Sequence, residues 1–372
     1  MANILVKRGQ LDNIVTYEHF CDTTADMRNI DPREINLGSV CIVLEGENNS
    51  IEAYIATSKK KWIKVNFNGS SPEPQTPMDK DAINDIINND EPIVSIKLNE
   101  ALDLTEPFVV NRGKIVNFDL NGQEINTSAT LFNINGGTVI IKGEGNVQAG
   151  GNIALVTNGG KVIVENGTFD STAGNFGIGA VGAGSSIEFN GGDLTTTEGG
   201  LMAFDGASIA MNNGTIHTRD NFAIGTNGTA GRGGNIITMN GGKIDAHITS
   251  NGYEAIGIYL PNDDVFVMND GEINVIEGAG IVQRGGSCSI RGGSITVTGT
   301  PGHTGWVGDN KTKMTESAVI YHQTANYPAK DSIRLAISGG TFVGVDHSIQ
   351  ILSNEETPNV SITGGNFTPP VE

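Results

Sequence analysis

Two groups of residues in this 372-residue chain could do chemistry: aspartates beside glycine-rich turns, and an aromatic segment around residue 306. Hydrolysis of a polysaccharide needs two or three carboxylates that converge on one patch. Eliminative cleavage needs a basic proton abstractor and usually a Ca²⁺ ion held by Asp or Glu. The acidic candidates, most of them next to Gly or Asn, are Asp193, Asp205, Asp220, Asp245, Asp263, Asp264, Asp270 and Asp346.

Turn formation explains most of these aspartates without catalysis, because Asp side chains stabilise turn backbones. No two of them recur at one repeat step and strand phase in a way that would stack carboxylates. The best local pair is Asp263-Asp264, a weak candidate for metal binding or catalysis, and Asp346-His347 is a similar candidate, with a capped turn as its ordinary explanation. His217 and His247 follow equivalent turns and either form a ladder or are exposed strand residues, which we favour. The sequence predicts no catalytic cluster, no metal and no cofactor.

The segment from Gly299 to Lys311 is rich in Gly and Pro, which indicates a protruding loop. Loops on rigid scaffolds carry function more often than the scaffolds do. An aromatic ring on such a loop can stack on a sugar, so the candidate ligand-binding residues are Trp306 and His303, with Tyr321 and His322 expected nearby. The competing explanations are a loop that folds back over apolar surface and a loop that contacts another subunit.

A repeat positions these residues. Each copy has an aliphatic run, a polar-Gly turn and a Gly-x-apolar unit, and successive copies are mostly 22 to 29 residues apart, with one step of 47. Such a step predicts a right-handed parallel β-helix of about 10 coils with two or three strands each. Antiparallel hairpins with Asn-Gly turns are the alternative, but they give no reason for a repeated Gly position. The anchor glycines, expected at positive φ or where no side chain fits, are Gly145, Gly167, Gly192, Gly214, Gly242, Gly271, Gly293, Gly340 and Gly365.

The chain divides into four parts and is predominantly all-β. Residues 1–65 form a small α+β module, and residues 66–78 form a proline-containing linker. Residues 79–91 form an amphipathic helix, which we assign as the N-terminal cap because the open apolar end of a β-helix must be covered. Residues 92–372 form the β-helix.

Composition excludes several functions. The formal net charge of −19 disfavours binding to nucleic acid or to anionic membrane surfaces. The chain has no apolar run long enough to span a membrane and begins without an apolar signal core, so we expect it to be made and folded in a cytoplasm. Its three cysteines, Cys21, Cys41 and Cys288, are expected to be buried thiols, and no Cys/His spacing indicates a zinc site.

Two segments resemble known families. Residues 93–147, with Val94-Ser95-Ile96-Lys97-Leu98 and Ile115-Val116-Asn117-Phe118-Asp119-Leu120-Asn121-Gly122, resemble the opening coils of the pectin-lyase-like β-helix superfamily. That fold carries lyases, hydrolases, adhesins and viral spikes, so the resemblance implies a fold and not an activity. The segments Val6-Lys7-Arg8-Gly9, Thr16-Tyr17-Glu18-His19, Leu37-Gly38-Ser39-Val40-Cys41-Ile42-Val43 and Trp62-Ile63-Lys64-Val65 resemble the N-terminal attachment modules of tailed-phage head fibres and decoration proteins.

The resemblance implies a structural phage virion protein, a head fibre or decoration protein on the particle surface. Residues 1–65 would bind other virion proteins of the capsid or tail, and the β-helix would display loops to host-surface glycans. A homo-oligomer is expected, with a trimer favoured. The alternative is a tailspike-type polysaccharide depolymerase, which the single long loop and sparse aromatic residues disfavour. A bacterial surface adhesin is a third, weaker possibility because no signal peptide is visible.

Overall fold

A computed structural model of the chain describes residues 4–11, 14–35, 39–45, 52–57, 60–65, 78–171, 176–219, 221–247, 255–300, 315–323, 326–369 and 371. The chain forms two compact units, Met1–Gln75 and Thr76–Glu372. Within the described ranges, no helix is long and apolar enough to cross a membrane.

The first unit is a five-stranded sheet with a short helix, in agreement with the α+β prediction. Its strands are hydrogen-bonded in chain order, and only the second and third run parallel. The helix Thr24–Arg28 begins at a capping box in which Thr23 and Asp26 satisfy each other's backbone amides. Cys21 and Cys41 are buried free thiols in the core, as predicted. The strands are Ile4–Leu11, Ile14–Thr23, Val40–Glu45, Glu52–Ala56 and Trp62–Val65, and a 3₁₀ turn spans Pro32–Glu34.

The second unit begins with the predicted capping helix, Lys80–Asn88. Asp79 caps it by accepting a hydrogen bond from the amide of Ala82 at 2.9 Å. Ile83 and Ile87 lie one turn apart on the same face of the helix, and both are buried in the core of the β-helix. The apolar stripe read from the sequence is therefore the surface that packs against this core.

The rest of the second unit is a parallel β-helix in which each coil supplies one strand to each of three sheets. Sheets I and II contain 11 strands each and sheet III contains 10, so the stack is somewhat longer than the predicted ten coils. A single 3₁₀ turn, Lys330–Ser332, is also assigned within the described part of this unit.

The strands of sheet I are Ile93–Lys97, Ile115–Asp119, Thr138–Lys142, Lys161–Val164, Ser186–Phe189, Ser208–Met211, Ile236–Met239, Val265–Met268, Ser287–Ile290, Arg334–Ile337 and Val360–Ile362. Those of sheet II are Leu102–Leu104, Glu124–Thr127, Asn146–Ala149, Thr168–Ser171, Asp193–Thr196, Thr215–Thr218, Lys243–His247, Glu272–Ile276, Ser294–Thr298, Thr341–Val343 and Asn366–Thr368. Those of sheet III are Phe108–Asn111, Phe132–Asn135, Ala154–Thr157, Phe176–Val181, Gly199–Phe204, Phe222–Thr226, Ala255–Leu260, Gly278–Gln283, Ser317–His322 and His347–Leu352.

Strand alternation builds the core. In sheets I and II every second side chain points inward and, in all but the last coil, is buried, as in the strand Ser208–Met211, where Ile209 and Met211 face the core. The same inward positions stack from coil to coil in register, so Ile209 lies beside Ile237, and Ile237 beside Phe266. The intervening side chains face outward and form rows along the length of the rod.

The turn between sheets I and II repeats the anchor glycine. All nine anchors have positive φ, between +82° and +155°, which confirms the prediction made from the repeat. Beside these turns runs a ladder of asparagine side chains that the sequence analysis did not predict, with amide-to-oxygen distances of 2.7 Å at each step. The ladder ties neighbouring coils together and is formed by Asn190, Asn212, Asn240 and Asn269.

Candidate functional site

The ligand-binding residues predicted from the sequence do not form one exposed patch in the described structure. Trp306 and His303 lie outside the described residues. Tyr321 is fully buried among the core side chains, and burial raises the pKa of its hydroxyl. His322 is also fully buried. The prediction that Tyr321 and His322 could contact a ligand is therefore corrected, because neither offers a surface to a sugar.

Asp264 holds coils together instead of forming a metal site with Asp263. Its carboxylate accepts hydrogen bonds from the Thr226 hydroxyl at 2.5 Å and from the Asn235 side-chain amide at 2.8 Å. It is buried, and burial raises its pKa. Asp263 is exposed and lines a separate cleft of about 420 Å³. Among the residues that the structure describes, no group of three or more His, Cys, Asp or Glu side chains could hold a metal ion.

Other predicted aspartates make structural contacts. Asp205 forms a bidentate pair with Arg232, which holds the pKa of Asp205 below its usual value. Asp270 accepts a hydrogen bond from the amide of Gly271 at 2.8 Å, as expected of a turn aspartate. Asp346 is held in a turn, where its amide donates to the carbonyl of Glu316. Asp220 lies outside the described residues.

The outward face of sheet II brings together four of the predicted residues: Asp193, His217, Asp245 and His247. His217 pairs in register with Asp245 and not with His247, so the two histidines do not form a ladder. His247 is exposed, and His217 is partly so. The explanation as outward strand residues, favoured from the sequence, agrees with this arrangement.

One row on this face consists of hydrogen-bonding side chains at nine successive coils. Parallel strands repeat about every 4.8 Å, so the row is roughly 38 Å long. Its members, in order along the rod, are Asp103, Asn126, Gln148, Asp170, Thr195, His217, Asp245, Asn274 and Thr296. We call this set the polar row.

The first four members of the polar row line an open groove of about 600 Å³. Within it the side-chain amide of Asn126 donates to Asp103 at 3.3 Å. Gln148 and Asp170 occupy the next two coils. Along the rod the groove thus presents two neighbouring amide side chains with a carboxylate on either side of them.

A second cluster surrounds Asp245 further along the row. Its carboxylate lies 3.0 Å from the ammonium of Lys243 and 3.5 Å from Nδ1 of His217. It also accepts a hydrogen bond from the side-chain amide of Asn274 at 3.1 Å. Because Asp245 accepts a hydrogen bond from Lys243 and lies beside it, the pKa of Lys243 is raised. Lys243 therefore stays protonated at neutral pH and is a poor proton abstractor there.

No two carboxylates are adjacent in the polar row, since Asp103, Asp170 and Asp245 are each separated by neutral side chains or by His217. The arrangement can donate and accept many hydrogen bonds along a line. It does not present the paired carboxylates that hydrolysis of a glycosidic bond needs in one row.

The sequence analysis missed most of the polar row, although a signal for it was present. From Gln148 onward each member lies three residues after an anchor glycine, as Gln148 follows Gly145 and Asp170 follows Gly167. A search for acidic pairs overlooks such a row because most of its members are neutral. Comparisons with protein-family models, with curated proteins and with solved structures found no match to this chain.

Proposed function

We propose that this protein is a non-catalytic, glycan-binding rod of a phage particle, with the polar row of sheet II as its binding surface. The observation that carries the proposal is the uninterrupted run of hydrogen-bonding side chains on nine successive coils of a rigid scaffold. A polysaccharide offers hydroxyl donors and acceptors at regular intervals, so an extended chain can follow such a row.

The net charge of the protein limits the class of glycan that the rod can bind. With a formal net charge of −19, the rod repels anionic polymers at long range. Within the row the groups nearest the groove are carboxylates and amides, and Lys243, beside the row, is already paired with Asp245. These features favour a neutral glycan over an acidic capsule. Each hydrogen bond is weak by itself, but many copies on one particle would bind by avidity.

The chemistry of the row supports binding over cleavage. A glycosidase general acid needs a raised pKa and access to substrate. Asp264 has a raised pKa, but it is buried between coils with its oxygens engaged by Thr226 and Asn235. A lyase needs a base with a lowered pKa, whereas Asp245 raises the pKa of Lys243.

The first unit would attach the rod to the particle. Residues 1–65 resemble attachment modules of tailed-phage virion proteins, and they belong to a compact unit, Met1–Gln75, that has a core of its own. In this arrangement the protein is a head fibre or decoration protein on the virion surface, and it contacts capsid or tail proteins through its first unit.

A matched pair of variants tests the proposal. Asn126 is in the polar row, and Asn133 faces outward from sheet III in the same coil. Loss of one hydrogen bond weakens binding by about 1 kcal/mol, roughly fivefold. Asn126→Ala should therefore lower binding to an array of neutral host-surface glycans about fivefold, and Asn133→Ala should leave binding unchanged.

The same experiment tests whether the protein cleaves the glycans that it binds. Binding is measured by glycan array and by surface-immobilised polysaccharide, and cleavage by the release of reducing ends or unsaturated oligosaccharides. Equal binding by both variants would remove the polar row from the proposal. Release of oligosaccharides from any bound glycan would make the depolymerase alternative correct.

A further inference from the structure

A second surface of the rod, on sheet I, is free of charge over four successive coils. These coils contribute the strands Ser208–Met211, Ile236–Met239, Val265–Met268 and Ser287–Ile290. We call their outward side chains the neutral patch, which consists of Ser208, Ala210, Ile236, Thr238, Val265, Val267, Ser287 and Ser289.

Two large aliphatic side chains are exposed at the centre of the neutral patch. Ile236 is 54% exposed and Val265 is 43% exposed, and the two are direct neighbours in register. Val267 faces outward two residues after Val265 on the same strand and adds a third aliphatic side chain to the patch. Exposed aliphatic side chains that adjoin one another favour burial against a partner more than isolated ones do.

Charged side chains return at both ends of the neutral patch. On the coil before it, Glu188 forms an ion pair with Lys161 of the preceding coil. On the coil after it, Arg334 continues the row that contains Val265 and Ser287. The patch is therefore a bounded region of sheet I and not a general property of the sheet.

We propose that the neutral patch is the contact surface for a second copy of this chain, with sheet I packed against sheet I across a two-fold axis. Each copy has a net charge of −19, so two copies repel one another wherever charged faces approach. A charge-free face lets them meet without bringing like charges together. In a two-fold contact the same patch serves both copies, so a flat uncharged surface is complementary to itself.

The size of the patch sets the strength of the contact. Four coils at about 4.8 Å and strands of four residues at about 3.3 Å give roughly 250 Å² of sheet per copy. A stable standard-size interface buries about 800 Å² per partner. The pairing of free chains should therefore be weak and dependent on concentration, and a cross-linking experiment is better suited to detect it than gel filtration alone.

Cysteine cross-linking provides a clean test because Cys21, Cys41 and Cys288 are all buried. Val265→Cys places a reactive thiol in the neutral patch. Ile276→Cys is a matched control in the same coil, since Ile276 is an aliphatic residue on sheet II that is 45% exposed. Full-length variants are treated with a short bismaleimide over a range of protein concentrations, after circular dichroism and melting curves have shown that they are folded.

We expect Val265→Cys to form covalent dimers at least tenfold faster than Ile276→Cys. Adding Ile236→Lys to the Val265→Cys chain should abolish that difference, because a buried ammonium would face its own copy across the axis. Sedimentation equilibrium on the chain without substitutions should show a reversible increase from monomer toward dimer mass.

Three results would overturn the inference. These are equal cross-linking rates for the two cysteine variants, an Ile236→Lys chain that cross-links as fast as its parent, and a mass that stays monomeric or reaches a trimer. A trimer mass would favour the trimer that the family resemblance implies, in which different faces of neighbouring copies are in contact.

Discussion

Gly242→Ala tests whether the anchor glycines are required by backbone conformation, by stacking of the coils, or by both. Gly242 has φ +83°, a conformation that side chains with a Cβ rarely adopt. A Cβ at this position would also lie 2.9 Å from the carbonyl oxygen of Gly214 in the preceding coil and 2.7 Å from Cε of Met211. Gly234 has nearly the same φ, +77°, but a Cβ there would meet no atom within 4 Å. The pair therefore separates the two causes.

The magnitudes follow from the two contributions. A left-handed conformation costs a residue with a Cβ about 1–2 kcal/mol, which is the whole expected loss for Gly234→Ala. Overpacking against a neighbouring coil adds about 1–3 kcal/mol, so Gly242→Ala should lose about 2–5 kcal/mol. For a unit of this size each kcal/mol lowers the Tm by roughly 2–4 °C. The substitution at Gly242 should lower the Tm by on the order of 10 °C.

Thermal and denaturant unfolding of both variants, followed by circular dichroism in the β-sheet region, measures the difference. Thr238→Val, on the outward face of the neighbouring strand Ile236–Met239, is a control that should change the Tm by little. Equal losses at Gly242 and Gly234 would refute the stacking argument, because the close approach of Gly214 would then have no energetic consequence. Equal Tm values for Gly242→Val and Thr238→Val would refute the coil register itself.

Three further predictions concern other parts of the chain. Burial raises the pKa of Asp264, so the folded chain binds the proton of this carboxyl group more tightly than the unfolded chain does, and the contribution of Asp264 to stability falls as pH rises from about 4 through the folded pKa. Asp264→Asn should therefore flatten the dependence of Tm on pH in that range. An unchanged slope would contradict this prediction. Proteolysis within residues 66–78 should release a folded fragment that keeps the β-sheet circular dichroism of residues 79–372, whereas loss of that signal on cleavage would show that the two units depend on each other. Trp306→Ala should weaken particle attachment to host cells about fivefold, as expected for the loss of roughly 1 kcal/mol of aromatic contact, with an unchanged Tm; unaltered attachment would give the loop a structural role.

Much of the fold could be predicted because every coil of a β-helix imposes the same local requirements on the residue types in its strands and turns. The anchor glycines repeat where the backbone needs positive φ, and aliphatic residues alternate because a strand has two faces. The capping helix could be found in the same way, from the spacing of Ile83 and Ile87. The number of coils was underestimated because the first strand, Ile93–Lys97, precedes a turn without an anchor glycine.

The candidate site was harder to predict, and the reason is the distance between its members in the sequence. Neighbours in the polar row, such as Gln148 and Asp170, are 22 residues apart and become adjacent only when the coils stack. Their residue types differ from coil to coil, so only their position, three residues after an anchor glycine from Gln148 onward, marks them in the sequence. Tyr321 was misjudged for a related reason, since the sequence shows an aromatic residue near a loop but not which face of the strand it occupies.

The amino-acid sequence by itself determined the architecture of this protein: a repeating turn, a two-residue alternation and a capping stripe, each a property of residues close together in the chain. Only the tertiary structure decided which side chains share a surface. The stacking register placed Asn126 beside Asp103, and it left Ile236 and Val265 exposed together on sheet I. The physical reason is that parallel coils bring residues from successive turns to within about 5 Å of each other, although more than 20 residues separate them along the chain, as 22 residues separate Gln148 from Asp170.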